Sequence, residues 1–349
     1  MLQRGGAQKV PSVLYVKPSL TNRGKVALTW PDPLEKAFQE TCNTLTVTVS
    51  HGFISSIRGK FISWLGRGLP SDTRGGEASA SIPLNLLKRL SNFAGRFERI
   101  DLFALVKNTG FSPDLVFVND IDVAIRDIGK FGVPTCFWVN DPHISIDRYF
   151  DLQRVQDYDY VFVSQKSFVD TFRKRGCKNV SWLPFAVDPA YFKGERKEVY
   201  DISFVGKVYP GHRRYEVLRL VKENFGNVYI GRERQYDMGK IYLSSKIVVN
   251  RSLRRDLNVR VFEAMAAGAL LITNRDADGL NELFEEDIHL VCYENKEELI
   301  SKIRYFLEHD EKRREIARKG REEVMAKHTY QVRSHEILRR VGLETPEAG

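Results

Sequence analysis

The chain has 349 residues, 42% of them hydrophobic, enough to bury the cores of about two domains. Its 54 Lys and Arg against 45 Asp and Glu leave a formal charge of +9, which favours anionic partners such as phosphorylated small molecules, acidic membrane surfaces or nucleic acid. No run approaches the roughly 18 apolar residues of a membrane span, the N-terminal MLQRGGAQKVPS lacks an apolar signal core, and Cys42, Cys136, Cys177 and Cys292 form no CxxC pair; together these argue against a disulfide framework and for a cytoplasmic protein with reduced core thiols.

Ser12 to Val16 is a short apolar run that opens through Lys17 into a loop holding Asn22, Arg23 and Gly24, as a first central strand would. Leu34 to Thr41 follows as a helix and Leu45 to Val49 as a second strand. In the next stretch Phe53, Ile57, Phe61, Trp64 and Leu65 share one helical face, with Arg58, Lys60 and Arg67 mostly off it. This predicts a basic amphipathic helix over Phe53 to Leu69, which either packs on its own sheet or rests peripherally on the anionic inner membrane surface. Leu69 to Ser81, with several Gly and Ser, reads as a loop.

From Ile82 the chain alternates helix and strand: helix Leu86 to Val106, strand Asp114 to Val118, helix Val123 to Lys130, strand Thr135 to Val139, helix Ile146 to Gln156, strand Tyr160 to Ser164, helix Lys166 to Arg175 and strand Val180 to Leu183. Units of this length imply parallel strands with helices on both faces. Ligands of such sheets bind beyond the carboxyl ends of the strands, which singles out Lys17, Asn119, Asp120, Asn140, Asp141, His143 and Ser164.

Ala186 to Tyr200, with Pro189 and the charged GERKE, interrupts the alternation and reads as a connection and hinge region. A second alternating series follows: strand Asp201 to Val205, helix His212 to Phe225, strands Val228 to Gly231 and Ile247 to Val249, helix Val259 to Ala267, strand Ala269 to Thr273, a turn of helix over Gly279 to Phe284, strand His289 to Tyr293, and helices Lys296 to His309, Asp310 to Lys327 and Thr329 to Val341. The expected organisation is an N-terminal domain over residues 1–190, a C-terminal domain over 191–335 and a terminal helix and tail over 336–349.

Two stretches in the second half suit anions. Gly206 to Arg213 (GKVYPGHR) is a strand end, a Gly-bounded loop and a helix start, the arrangement that presents backbone amides to phosphate. His212 and Arg213 stand where a P-loop has Lys and Ser or Thr, which disfavours magnesium-dependent triphosphate hydrolysis. The other is NRSLRRDLNVRVFEAMAAGALLIT, Asn250 to Thr273: an Arg-rich loop, Asn258 placed to cap a helix that Gly268 ends, and a buried strand. Glu263 lies inside that helix among apolar and small side chains, where a carboxylate needs a ligand hydroxyl or an Arg as partner. Asp-x-Asp occurs at Asp120 and Asp122, Asp157 and Asp159, and Asp276 and Asp278, and reads as capping, turn or surface residues. His143, in WVNDPHIS, considered alone is more often structural than catalytic. No His, Cys and carboxylate cluster has zinc spacing, and no basic stripe with interleaved aromatics supports nucleic-acid binding.

RDLNVRVFEAMAAGALLIT, the continuation GLNELFEEDIHLVCYENKEELISKIRYFLEH and the closing HTYQVR resemble the C-terminal domain of the family-1-type glycosyltransferase superfamily, in its spore-maturation-protein-like branch. GKFGVPTCFWVNDPH, YDYVFVSQKSFVDTF and NVSWLPFAVDP extend the similarity over Ile82 to Arg333. The resemblance implies a GT-B fold, an α/β architecture of two Rossmann-like, doubly wound parallel-sheet domains facing across a cleft. It implies a retaining, metal-independent transfer of a sugar from a nucleoside-diphosphate sugar to the hydroxyl of a glycan, lipid-linked or protein acceptor, with no cofactor. The alternatives are a non-catalytic nucleotide-sugar or glycan-binding protein, and a sugar-nucleotide epimerase of the same fold. By matched position, Glu263 would bind the donor ribose; Gly206, Lys207 and Arg213 the diphosphate; and the loop from Arg251 through Arg255 to Asn258 and Val259 the donor sugar and phosphates. His143 would lie beside the transferred sugar, with Lys17, Asn140 and Asp141 on the acceptor side, so that His143, Lys207 and Glu263 form the catalytic set. One departure stands out: Arg255 occupies the position, eight residues before Glu263, where fuller versions of the motif carry an acid.

Overall fold

The structure, a computed structural model, describes residues 9–19, 32–50, 61–64, 101–121, 124–233 and 235–343. It divides into two compact units: one formed by Met1–Ser164, Phe168–Leu183 and Ser334–Gly349, the other by Gln165–Ser167 and Pro184–Arg333.

The first unit is built on a seven-stranded sheet of order β3-β2-β1-β4-β5-β6-β7, with β1 Ser12–Ser19, β2 Asn43–Ser50, β3 Phe61–Trp64, β4 Leu115–Asn119, β5 Thr135–Val139, β6 Tyr160–Val163 and β7 Asn179–Trp182. All neighbours are parallel except β2 and β3. Strands β4 and β5 (LVFVN and TCFWV) are buried at every position, as central parallel strands covered on both faces must be. Helix α1 (Pro33–Thr41) begins where Asp32 Oδ1 accepts the Leu34 and Glu35 amides at 3.1 and 3.3 Å and Pro33 supplies a pre-set φ. Among the described residues the other α-helices within this unit are α2 (Leu102–Lys107) and α3 (Val169–Lys174).

The second unit carries a five-stranded, wholly parallel sheet, with β8 Tyr200–Val205, β9 Val228–Gly231, β10 Ser245–Val249, β11 Leu270–Asn274 and β12 Val291–Tyr293 in the order β12-β11-β10-β8-β9. Its helices are α4 (Arg213–Asn224), α5 (Gln235–Leu243), α6 (Arg260–Ala266), α7 (Leu280–Leu283), α8 (Lys296–Glu308) and α9 (Asp310–Lys327), and α10 (Tyr330–Arg340) starts in this unit and ends in the first. Ile202, Val217, Val221, Ile247, Ile272, Leu299 and Ile303 lie in one continuous apolar core between sheet and helices. All four cysteines are buried and free. No helix of the described residues is long and apolar enough to cross a membrane.

Two doubly wound sheets were expected and are found, with several local corrections. Phe61–Trp64 is a strand antiparallel to β2, so the amphipathic helix expected over Phe53 to Leu69 does not pass through these four residues. Aromatic and β-branched residues suit a pleated edge as well as a helical face, and strand pairing decides between them. The rest of that segment, the loop to Ser81 and most of the helix from Leu86 lie outside the described residues; only Leu102–Lys107 of that helix is described.

The helices expected over Val123 to Lys130 and Ile146 to Gln156 shrink to a 3-10 turn at Ile128–Phe131 and to a wide π-turn at Arg148–Leu152 followed by a 3-10 turn at Val155–Asp157. In the π-turn the consecutive side chains of Arg148 and Tyr149 both reach Asp120, whereas on an α-helix neighbours diverge by about 100°. Helix α5 was not anticipated, because Gly239 weakens its pattern. That glycine is what lets α5 pack: a Cβ there would lie 2.1 Å from the Tyr191 carbonyl oxygen.

Candidate functional site

The second sheet changes winding direction between β8 and β10, and an open parallel sheet binds ligands outside its strand ends at such a switch point. Strand β8 delivers Gly206 there and β10 delivers Asn250. Asn250 is fully buried: its Nδ2 donates to Thr273 Oγ1 at 3.0 Å, its Oδ1 accepts from Arg260 Nη1 at 2.9 Å, and its carbonyl accepts from the Tyr293 hydroxyl at 3.1 Å. Arg260 also donates from Nε to the Val205 carbonyl at 2.9 Å, so one guanidinium joins the ends of both strands while lying 4.3 Å from the centroid of Phe204. Gly206 has φ +152° and spends its N–H on the Gly231 carbonyl at 2.9 Å. It therefore contributes room, because a Cβ at this position would sit 2.3 Å from Arg260 Nη2.

A second guanidinium lies beside the first. Arg214, buried, donates from Nε to the Arg251 carbonyl at 2.8 Å and from Nη1 to the Lys207 carbonyl at 3.1 Å, and sits 5.5 Å from the Phe204 centroid. Burial and the neighbouring charge of Arg260 pull Arg214 down to about 10. Among the described residues neither guanidinium forms an ion pair with a carboxylate; their partners are neutral oxygens. Two guanidiniums so close together, one buried and one half-buried, neither in an ion pair, form a site whose charge suits an anion.

The loop after β10 is held at nearly every residue. Arg251 faces Asp276 at 3.5 Å; the Ser252 amide and hydroxyl bond to Asn274 at 2.9 Å each; Asp256 Oδ1 accepts the Leu253 and Arg254 amides at 3.0 and 3.1 Å. Arg255 adopts a left-handed backbone, φ +62°, its carbonyl accepting the Asp278 amide at 2.8 Å and its exposed side chain pairing with Asp276 at 3.1 Å. Leu257 is bonded through both backbone groups to the amide of Gln165, at 2.8 and 3.2 Å. Asp276 and Asp278 thus tie this loop, while Asp159 accepts from Thr135 and Asp157 pairs with Arg154. Among the described residues no three His, Cys, Asp or Glu side chains are grouped to hold a metal ion.

The exception in the loop is Asn258. Its carbonyl accepts the Val261 amide at 3.1 Å, but Val259 is the cap of α6 and no side chain bonds the first turn, so the capping role expected for the Asn258 side chain is not filled. The helix begins one residue later than the sequence suggests, which leaves Asn258 Oδ1 and Nδ2 both buried with no partner. One turn on, Glu263 accepts no hydrogen bond from any described residue, and burial pushes its carboxyl up to about 7 against the pull of Arg260. Gly268, φ +72°, closes α6: its amide donates to Met265 O at 2.8 Å and the Ala269 amide to Ala264 O at 3.3 Å, the paired pattern of a glycine-terminated helix. An unspent amide just before this short helix and an unspent carboxyl within it offer donors and acceptors to a polyhydroxylated ligand.

Lys207 and Arg213 are exposed on the loop and helix start beside this cluster. In the first unit, Lys17 is buried in an ion pair with Glu35. Asn140 donates from its amide to Asp120 Oδ2 at 3.1 Å and from Nδ2 to Asn119 Oδ1 at 3.0 Å; the Asp141 amide donates to the Tyr149 hydroxyl at 3.2 Å; and His143 is half-buried in the turn after Pro142. Asp120, pushed up to about 7 by burial against the charge of Arg148, accepts from Arg148, Tyr149 and the Asn140 amide and so fixes the ends of β4 and β5.

Arg214 and Arg260 were missed in the sequence, and Arg214 was legible: Arg214, Val217, Leu218 and Val221 form the buried face of α4 at helical spacing, whereas Arg213 points to solvent.

Residues 186–339 match the glycosyl transferase-like family model. The matched segment contains the whole cluster around Arg214 and Arg260. Along the full chain, solved structures agree in fold: a sucrose-phosphate synthase from Thermosynechococcus elongatus (12% identity, TM-score 0.56, 95% of this chain and 98% of that one); HepE of Anabaena in complex with UDP and glucose (10%, 0.55, 95% and 99%); and a glycosyltransferase from Rickettsia africae (13%, 0.53, 95% and 98%). The fold is GT-B, two Rossmann-like sheets. No curated protein matches the chain in sequence.

Proposed function

We propose that the protein is a retaining glycosyltransferase of the spore-maturation-protein-like branch, which uses a nucleoside-diphosphate sugar without a metal ion. The observation that carries this reading is the pair of adjacent guanidiniums of Arg214, buried, and Arg260, half-buried, neither in an ion pair, at the switch point of the sheet within the segment that matches the glycosyl transferase-like family model. Glycosyl transfer builds oxocarbenium character on the sugar and negative charge on the departing diphosphate; fixed cations that meet that charge accelerate the step. Arg214, Arg260 and the exposed Lys207 supply three such cations, with Arg213 and Arg251 nearby in sequence. Glu263 and Asn258 have the free hydrogen-bonding capacity to take ribose and sugar hydroxyls. In retaining transfer the leaving phosphate takes the proton of the acceptor hydroxyl, so no protein base is required. From the first unit, His143 serves beside the sugar and Asn140 and Asp141 on the acceptor side, with Lys17 a support held by Glu35. The acceptor is a glycan, lipid-linked or protein hydroxyl.

HepE has been solved with UDP-glucose, which makes UDP-sugars the first donors to try. Purified protein is mixed with UDP-, GDP-, ADP- and dTDP-sugars in EDTA, and nucleotide binding, donor hydrolysis and product anomer are measured. Binding with slow hydrolysis of one donor is expected. Silence across the panel overturns the reading, loss of activity in EDTA that magnesium restores removes metal independence, and an epimerised donor or binding without turnover on any acceptor assigns the site to an epimerase or a binding protein.

A further inference from the structure

We propose that Gln165, seconded by Ser167, is a positioning residue of the donor site, acting through the backbone of the loop that presents Asn258. The inference rests on the assignment of that loop to nucleotide-sugar binding.

The tripeptide Gln165–Ser167 interrupts the first unit in sequence, between β6 and α3, yet belongs to the second. All three of its side chains are spent there. Gln165 is almost wholly buried, and its amide pairs with Leu257 as a neighbouring strand would: Oε1 accepts the Leu257 N–H at 2.8 Å and Nε2 donates to the Leu257 carbonyl at 3.2 Å. Ser167 gives its amide and hydroxyl to Asp278 Oδ2 at 2.9 and 3.0 Å, and the Asp278 amide in turn holds the Arg255 carbonyl at 2.8 Å. Lys166 pairs with Glu282. One short segment therefore fixes the loop at Arg255, where its backbone is left-handed, and at Leu257, the residue immediately before Asn258.

A loop backbone has many conformations, and a residue held at both N–H and C=O has few. A glutamine is suited to the task because its side chain carries one acceptor and two donors in the plane of a peptide group, so it imitates a β-bridge where no strand is available. Were Gln165 merely filling space, an apolar residue of similar volume would serve better, since it would leave no buried amide to satisfy. Its bonds go instead to the two backbone groups of Leu257. The pinned position abuts an asparagine whose own amide is buried and unpartnered, so the order imposed on the loop is transmitted to a side chain free to meet ligand.

The test uses the full chain as wild type, Gln165→Leu and Gln165→Glu. Leu removes both bonds at similar volume; Glu keeps an acceptor for the Leu257 N–H but loses the donor to its carbonyl, and remains available should the Leu variant fold poorly. Amide hydrogen exchange over residues 251–258 is measured without nucleotide, and affinity for the nucleotide that the wild type binds is measured on folded protein. Exchange in that loop should accelerate and affinity fall about tenfold for Leu and less for Glu, beyond any change in melting temperature. Unchanged loop exchange, or affinity unchanged in both folded variants, overturns the inference. A wild type that binds no nucleotide instead overturns the assignment of the site, and accelerated exchange in the variants would then leave Gln165 as a loop clamp without a donor to position.

Discussion

Arg260 Nη1 donates to Asn250 Oδ1 at 2.9 Å while its Nε holds the Val205 carbonyl at 2.9 Å, so a single side chain of α6 bridges the two strands that flank the switch point. Beside it Arg214 bonds only neutral oxygens. The two guanidiniums repel one another, and the burial of Arg214 without an ion pair costs free energy in the unliganded protein.

That cost separates stability from function. Arg214→Met keeps the volume and removes the buried charge, so the unliganded protein should lose less than about 1 kcal/mol of stability, while nucleotide affinity falls by about 2–3 kcal/mol. Melting temperature with and without nucleotide measures both in one experiment. A variant that melts far lower yet binds as well as the wild type would assign Arg214 to the core alone.

Glu263 gives a pH signature. Its carboxyl is raised to about 7, so the folded protein holds a proton that the unfolded chain releases near the ordinary Glu value; its contribution to stability is fully present below about pH 4.5 and is lost as pH rises through 7. Glu263→Gln should therefore stabilise the unliganded protein by about 1–3 kcal/mol at pH 8 and much less at pH 5. If the carboxylate accepts ribose hydroxyls, wild-type affinity rises from pH 6 to pH 8 with proton release, seen by calorimetry in buffers of different ionisation enthalpy, and the Gln variant loses that dependence.

Glu198 behaves in the opposite sense. Although burial opposes it, hydrogen bonds and charge from Arg313, together with Arg314 and Arg196, hold its carboxyl at about 2, and Arg313, fully buried, takes it in a two-pronged grip at 3.0 and 3.1 Å. This stabilisation is present above about pH 4.5 and disappears as pH falls toward 2. Allowing for solvent screening at a partly exposed group, Glu198→Gln should cost about 1–2 kcal/mol at pH 7 and almost nothing near pH 2. Parallel pH-dependent melting curves for the two proteins would contradict the assignment.

Two glycines carry backbone contacts that no other residue permits. A Cβ on Gly239 would lie 2.1 Å from Tyr191 O, and one on Gly320 would lie 2.2 Å from His289 O. Replacement of either by Ala should destabilise by about 2 kcal/mol or more, because helix α5 or α9 must move off its neighbour. Denaturant unfolding of each variant tests this; a change below about 0.5 kcal/mol would mean the helices yield without cost.

The alternation of the two sheets was legible because parallel strands buried on both faces appear as unbroken apolar runs, as in LVFVN and TCFWV, and because residues such as Gly268 mark where helices stop. What escaped was local. Gly239 masks a helix that requires it, and FISW fits either a helical face or a strand edge until β2 lies beside it. In the candidate site the loop and Glu263 could be read from residue type and position, and Arg214 from its place on the buried face of α4, but Arg260 acts through the Val205 carbonyl 55 positions away, and the hold of Gln165 on Leu257 spans 92 positions. Such pairings have no local signature in a single chain.

The absence of a side chain at Gly206 has a further consequence. Arg260 Nη2 occupies the volume a methyl group there would fill, so positions 206 and 260 do not vary independently. Gly206→Ala alone displaces the guanidinium from Val205 and Asn250, whereas the same change beside a smaller residue at 260 escapes that clash and meets only the Phe204 ring at 3.2 Å and the strain of a φ of +152°. Any library built to alter donor preference must therefore sample the two positions jointly, or it will score each permitted pair by the failure of its halves.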